Sequence, residues 1–341
     1  MFLLESNVVF TRMNKGVEES SYTFKSVHEI EITKSVDELG DTAVIKLPTR
    51  FKIKQNGKET SGQMFVEKAL QVGDKVKITL GYEGKSSKVE FVGYIKKISP
   101  KTPLEIHCED AMWLLRRKNI SKSWKEKIDL KTVLQEIVKD TGIKVSDSIA
   151  DFKLDKWMIS ENGAQALERL KKDFGFTAFI TDDGMLYCGL QQLTNINQSA
   201  SYDLNYNLVE NNLEYKTKEG QDFNVKFTYI DPKTNIPIVG QAGDEGGEQR
   251  TYRTSTVSNQ EELDKLAKAE LEKLQFFGYT GDITSFLIPY ATRGMKAIIL
   301  DKEYVDSYGH FFREGSYFIN KVVTTFGMNG ARRKVSIRNK I

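Results

Sequence analysis

The sequence predicts a mainly β, α+β fold in which two similar small β-barrels flank an α+β middle domain. Three observations predict it. A glycine-led strand pattern occurs in both the first and the last third, helix-length amphipathic segments interrupt the strand signals between them, and the loops separating the matching pieces differ in length.

The repeat is clearest where Gly73-Asp74-Lys75-Val76-Lys77-Ile78-Thr79-Leu80 returns as Gly294-Met295-Lys296-Ala297-Ile298-Ile299-Leu300. Each is a glycine followed by a run that can bury alternate side chains, the period of a half-buried strand. Downstream, Gly93-Tyr94-Ile95-Lys96-Lys97-Ile98 lines up with Tyr317-Phe318-Ile319-Asn320-Lys321-Val322. Leu104 to Cys108 lines up more loosely with Lys334 to Arg338. Upstream, Ile30-Glu31-Ile32 followed by Asp41 to Leu47 has its counterpart in Leu213-Glu214-Tyr215 followed by Asp222 to Tyr229. Four or five short strands per copy are too few for a sandwich, and closure into a small barrel removes edges that would otherwise pair with other chains. Agreement of order and spacing as well as composition marks an internal duplication.

The first barrel is expected over 1–110, with Glu109 to Leu115 turning the chain into a helical or irregular exit. The middle domain, 111–200, changes character. Leu130, Val133, Leu134, Ile137 and Val138 fall at helical spacing, with Asp129 placed to cap and Gly142 to stop the helix. A second helix is expected over about Asn162 to Phe174, with Ser160 as its cap and Gly175 as its stop. Phe176 to Ile180 and Met185 to Leu190 then flank Asp182-Asp183-Gly184, a hairpin turn whose positive φ angles suit Asp and Gly.

The second barrel, 201–240 and 294–341, is interrupted by an insertion between its second and third strands. Pro237 to Gly247, rich in Gly and acidic residues, reads as a mobile loop where a partner could dock. Ser258-Asn259-Gln260-Glu261 reads as a capping box before Leu263, Leu266, Ala267, Leu271 and Leu274, a helix expected to end at Gly278. Its apolar stripe needs cover, and the middle-domain helices are the expected surface, so that 241–293 joins the middle domain.

Bulk properties exclude several classes. The 341 residues suffice for two or three domains, and 50 Lys+Arg against 47 Asp+Glu leave a net charge of +3. That balance gives no electrostatic argument for nucleic acid or a membrane surface. The clusters Arg116-Arg117-Lys118 and Arg332-Arg333-Lys334 read as solvated element ends. The N-terminus lacks the pattern of a secretory signal, and no window approaches the roughly 20 apolar residues of a membrane span, so folding in the producing cell's cytosol is expected. Cys108 and Cys188 read as buried small hydrophobes rather than a disulfide.

Nothing in the sequence assembles an active site, and no catalytic, cofactor-binding or metal-ligating residue is assigned. His28, His107 and His310 stand in no metal-binding spacing. Gly84-Lys85-Ser86 lacks the earlier glycine of a phosphate loop, and Gly240, Gly243 and Gly246 do not match the dinucleotide fingerprint. The acidic pairs Glu109 with Asp110, Asp182 with Asp183, and Asp244 with Glu245 are adjacent, so on a strand they face opposite ways. Tyr202, Tyr206, Tyr215, Phe223, Phe227 and Tyr229 read as barrel core or subunit interface before they read as a base-stacking platform.

The glycine-led strand, then Phe91-Val92-Gly93-Tyr94-Ile95, then Glu105-Ile106-His107-Cys108-Glu109-Asp110 with Trp113-Leu114-Leu115, resembles the start of bacteriophage tail hub proteins of the late control protein D type. Gly315 to Ile319 through Gly330 to Val335 resembles their second barrel, and the insertion helix with Ile283 to Pro289 sits where that family carries its excursion. The likeness covers nearly the whole chain and extends to the hub part of contractile injection system spikes. It implies two Tudor-like barrels per subunit and a homotrimeric ring of six similar barrels. It further implies a place in the virion tail between a sixfold tail tube or distal tail protein and a threefold spike or lysin protein, with no enzymatic role, no cofactor and no specific nucleic acid. The sequence ends at Ile341, just past the second barrel, so a separate spike or lysin chain is expected. The competing expectations are a tail-associated wall hydrolase with its site in the middle domain or the glycine-rich loop, and a carbohydrate- or nucleic-acid-binding module.

Overall fold

The computed structural model describes residues 3–341 except 15–16, 56–57, 150–151, 155, 190–197, 218–221, 232–233, 255–258, 276 and 306. The first third supplies β1 (Leu4–Asn14), β2 (Val17–Phe24), β3 (Glu29–Ser35), β4 (Thr42–Leu47), β5 (Arg50–Gln55), β6 (Lys58–Phe65), the one-turn α1 (Val66–Ala69), β7 (Lys75–Tyr82), β8 (Ser86–Ser99) and β9 (Leu104–Glu109). The middle follows as α2 (Met112–Arg117), β10 (Asn119–Ser123), β11 (Ile128–Asp129), α3 (Leu130–Val138), β12 (Lys144–Val145), β13 (Lys153–Leu154), β14 (Met158–Asn162), α4 (Gly163–Phe174), β15 (Thr177–Ile180) and β16 (Met185–Gly189). The remainder is β17 (Ser199–Asp203), β18 (Leu208–Lys216), β19 (Phe223–Ile230), β20 (Pro237–Gly243), β21 (Glu248–Arg253), α5 (Gln260–Leu274), β22 (Gly278–Ser285), β23 (Lys296–Leu300), β24 (Gly315–Gly327) and β25 (Gly330–Lys340).

One 13-stranded sheet follows the path β18-β22-β25-β24-β3-β4-β9-β8-β7-β1-β2, with β23 on β24 and β17 on β23. Within it, β3-β4-β9-β8-β7 and β18-β22-β25-β24-β23 have the same order, and all neighbours are antiparallel. The match reaches single residues. A bulge falls between Ile95 and Lys97 on β8 and between Ile319 and Lys321 on β24. The Gly73 N–H donates to the Ile95 carbonyl and the Ile95 N–H to the Asp74 carbonyl, just as Gly294 donates to Ile319 and Ile319 to Met295. Gly73 and Gly294 hold φ of 96° and 80°, where a Cβ is penalised, so the leading glycine of each pattern serves the same bend. Alternation then buries Val76, Ile78 and Leu80 in one core and Ala297 and Ile299 in another.

The registers correct the finer sequence alignment. Cys108 and Ile337 face the equivalent Ile95 and Ile319, so Leu104 to Cys108 matches Arg333 to Ile337, one residue from the expected match. A slip of one would have put the buried face outside. The counterpart of β4 is β22, not Asp222 to Tyr229: β22 pairs β25 as β4 pairs β9. The insertion therefore lies between the first and second strands of the later set. Phe223 to Tyr229 alternates as well as any strand, while β22 carries Gly278, Gly281, Asp282 and Ser285 and looks like a turn.

Neither run closes into a barrel among the described residues. The outer edge of β3 is taken instead by residues 321–327 of β24, from Lys321 opposite Ser35 to Gly327 opposite Glu29. The β24–β25 hairpin continues to Gly327 opposite Gly330, whereas the β8–β9 hairpin stops at Ser99 opposite Glu105, and the extra length supplies the joining strand. Phe326 and Ala331 thereby enter the core of the first set.

In the middle, α3 and α4 bury Leu130, Val133, Leu134, Ile137, Ala164, Leu167 and Leu170 in a core of their own beside the β15–β16 hairpin. Asp129 stands at the N-cap of α3 without a side-chain hydrogen bond there. The cap of α4 is Asn162, in a reciprocal box with Gln165, rather than Ser160, which lies on β14 opposite Ser121. Gly175 ends the helix at φ 66°.

The insertion also departs from expectation. Pro237 to Gly243 is strand β20, paired along β19, with β21 on the other side of β19. Helix α5 packs on β19 and β20, not on the middle helices as expected. The glycines explain why: a Cβ on Gly240 would stand 2.3 Å from the Leu263 backbone, so the residue that suggested mobility is what lets the helix approach its own sheet. Asn259 caps α5 through the Glu261 N–H, Ser258 lies outside the described residues, and the helix ends at Leu274, before Gly278 opens β22.

Candidate functional site

Three acids that are distant in sequence converge where the first strand set, the middle region and the later set meet. Asp41 precedes β4, Asp110 follows β9, and Asp182 sits in the β15–β16 turn. Arg293, just ahead of the bending Gly294, reaches into them. It is about 2% exposed, lies 2.8 Å from Asp41 Oδ2 and 2.9 Å from Asp182 Oδ1, donates to the Ile180 carbonyl, and stacks on the Phe179 ring. Lys34, near the end of β3, donates to Asp182 Oδ1 at 2.8 Å. A cleft of about 360 Å³ borders Lys34 and all three acids.

Every carboxylate oxygen of the three is engaged by a protein donor. Asp110 Oδ2 accepts from the Asp41 N–H and its Oδ1 from the Met112 N–H, both at 2.8 Å. Asp41 Oδ1 accepts from the Ser35 N–H, and Asp182 Oδ2 from the Tyr290 hydroxyl at 2.7 Å. Burial pushes the Asp41 carboxyl up to about 6 against the pull of Arg293 and Lys34. Burial, with the Asp41 charge adding to it, holds Asp110 well above the usual carboxylate range. Burial would also raise Asp182, but the Lys34 and Arg293 charges and their hydrogen bonds outweigh it and hold that group below the usual range.

The seam continues through Tyr290. Its ring lies 4.9 Å from the guanidinium of Arg333, which is 1% exposed and bidentate to Glu90 of β8, at 2.7 and 3.2 Å. Arg333 also donates to the Ala291 and Leu287 carbonyls. The sequence placed Arg333 in a solvated basic cluster; its position on an inward register of β25 is what buries it, and the alternation of Ala331, Arg333 and Val335 carried that signal.

Of the adjacent acidic pairs, Glu109 binds Arg116 and Lys96, and Asp244 and Glu245 are exposed in the β20–β21 turn. His28 and His310 are exposed and His107 is half-buried; among the described residues no group of three His, Cys, Asp or Glu could hold a metal ion. Cys108 and Cys188 are buried and free, and burial pushes the Cys188 thiol up to about 12. Of the aromatics expected in the core or at a subunit interface, Tyr202 is core and Tyr206 is 88% exposed. Among the described residues no helix is long and apolar enough to cross a membrane.

No family model matches the chain, and no curated protein does. Solved structures do. Over 98% of its length the chain superposes on 98% of the prophage MuSo2 43 kDa tail protein from Shewanella oneidensis, with a TM-score of 0.64 at 16% identity. This is the fold of phage tail proteins. The tail protein from Neisseria meningitidis MC58 gives 0.63 at 13% identity, covering 99% of this chain and 97% of that one. A chain of the Francisella PdpA–VgrG complex gives 0.60 at 11%, with 98% of this chain on 58% of the longer partner. At these identities the likeness is one of fold, and the tail-protein fold here is mainly β with an α+β middle.

Proposed function

We propose that this chain is a structural hub of a phage tail or phage-like injection machine: a homotrimeric ring that adapts a sixfold tail tube to a threefold spike. The observation that carries the reading is the pair of five-stranded runs with one order, one bulge and one bending glycine. Three chains bring six such units around an axis, and head-to-tail contacts that close present a near-sixfold surface to one neighbour and a threefold one to the other. The runs stand for the two Tudor-like modules; the later one comprises 199–216 and 278–340, and the middle region and the inserted sheet with α5 are appendages on this core. A tail tube or distal tail protein lies above the ring, and a spike or lysin chain below. The protein is made in the bacterial cytoplasm and assembled into the tail.

The role is mechanical rather than enzymatic. Arginine, lysine, tyrosine and backbone donors reach all six oxygens of the converging acids, the arrangement of a structural ion cluster rather than of a carboxylate pair facing a substrate. The seam instead ties the three regions into one body, which a part loaded from both ends requires. Immunogold labelling of particles from the producing cells tests this: label at the tail tip distal to the head is expected, and label confined to soluble protein or to the tube wall would contradict it.

A further inference from the structure

We propose that the open edge of β18 seats a second copy of this chain, which adds residues 97–99 of its β8 there and so repeats between chains the β24–β3 contact made within one. The inference rests on the ring reading and names its interface.

The registers make β3 and β18 equivalent strands. Ile32 lies opposite Ala43, which faces Cys108, and Leu213 lies opposite Gly281, which faces Ile337. Ile32 therefore corresponds to Leu213, Lys34 to Tyr215 and Ser35 to Lys216. On β3 the outer edge is covered by β24, and Ile30 and Ile32 are 0% and 1% exposed. Among the described residues β18 instead ends the sheet, and its inward Leu213 and Tyr215 are only half-buried. The Leu213 N–H, which by this equivalence points along the open edge, is held by Asn211 Oδ1 at 3.1 Å, a local stand-in for a ladder partner.

The complementary edge belongs to the first set. β7 pairs β8 only as far as Tyr94, while β9 continues on the other side to Ser99. Among the described residues no strand pairs the β7 side of that stretch; Ile98, which corresponds to the buried Val322, is half-buried there, and Ser99 beside it is 7% exposed. One chain thus offers the acceptor edge in its later set and the donor edge in its first, a head-to-tail arrangement that closes into a ring or grows without end. A foreign strand could satisfy one edge; a second copy satisfies both. The repeat is shorter than its template, because Pro100 brings no N–H where Thr324 continues the β24 ladder.

The register can be tested by cross-linking. The Val36 N–H bonds the Asn320 carbonyl, so the next pair, Ser35 with Lys321, is of the narrow, non-hydrogen-bonded kind whose side chains lie closest. Its counterpart between chains is Lys216 of one copy with Lys97 of the next, both exposed in the single chain, and an unchanged melting temperature of each single variant checks that the cysteines leave the fold intact. The substitution also removes the one like-charged pair in this register. The full chain carrying Lys97→Cys and Lys216→Cys, concentrated and oxidised, is expected to run mainly as a covalent trimer on a non-reducing gel and to return to single chains with dithiothreitol. Each single variant should stay at the mass of one chain. A trimer by native mass spectrometry that does not cross-link overturns this interface and leaves the ring reading standing. A chain that stays single by both measurements at high concentration overturns both, and a covalent ladder beyond three overturns closure.

Discussion

The two strand sets share a backbone plan but put different chemistry at the same positions. The residue ahead of the bending glycine is Val72 in the first set, 49% exposed, and Arg293 in the later one, buried among three acids. Asp41, two residues before Ala43, corresponds to Tyr279, two before Gly281. Asp41 faces Arg293, whereas Tyr279 donates its N–H to the Tyr317 hydroxyl and its own hydroxyl to Asp301. The hairpin tip that is long in the later set is cut short by prolines in the first. What the copies conserve is pairing order; what separates them is how each joins the rest of the molecule. Symmetric contacts need the first property, and a chain that must also be one rigid body needs the second.

The comparison breaks most strongly at the arginine. Arg293→Met leaves Asp41 buried without its main partner and Asp182 with Lys34 alone, and should cost about 3–5 kcal/mol in urea unfolding, whereas Val72→Ala at the matching position should stay within about 0.5 kcal/mol. A loss of similar size from both would show that the seam is not where the sets differ. Next is the borrowed side chain: Phe326→Ala, which empties a place in the first core, should cost about 3–4 kcal/mol by the same assay, against almost nothing for Thr102→Ala at the corresponding loop position.

A loss of stability on going from pH 4 to pH 7 should come from the acids of the first set. A carboxyl raised to about 6 in the folded chain binds more protons folded than unfolded between roughly pH 4 and 6, so stability from Asp41 is fully present below that window and is lost as pH rises through it. The swing is up to about 3 kcal/mol, with Asp110 acting in the same sense and Asp182, held low, acting oppositely below its unfolded value. Melting temperatures across pH 4 to 7 should fall less steeply in Asp41→Asn; an unchanged slope would remove Asp41 as the cause. The smallest effect is at the surface: the Lys46–Glu29 pair is open to solvent and screened by it, so Lys46→Ala should leave the urea unfolding midpoint unmoved, and a clear drop would show that this surface pair matters.

Much of the plan was legible in the sequence because it is local. The leading glycines, the alternation of Val76-Lys77-Ile78 and Ala297-Ile298-Ile299, the spacing of Leu130 to Val138 and the Asp182-Asp183-Gly184 turn each act within a few residues. Three features were not. β22 is made of residues that favour turns, and only pairing on both flanks makes it a strand. The β24–β3 junction joins residues nearly 300 apart, and no periodicity records which edge meets which. The ionic seam draws Asp41, Asp110, Asp182 and Arg293 from separate loops, so a search confined to neighbouring acids could not assemble it. Gly240 misled for the opposite reason: glycine marks freedom and close approach alike, and only the helix above it distinguishes them.

Electron microscopy of the purified chain, with native mass measured on the same sample, tests the central claim most directly. The account predicts rings of three chains that show six similar lobes around the axis. Rings with three lobes, or any closed particle whose chain number is not three, would contradict it.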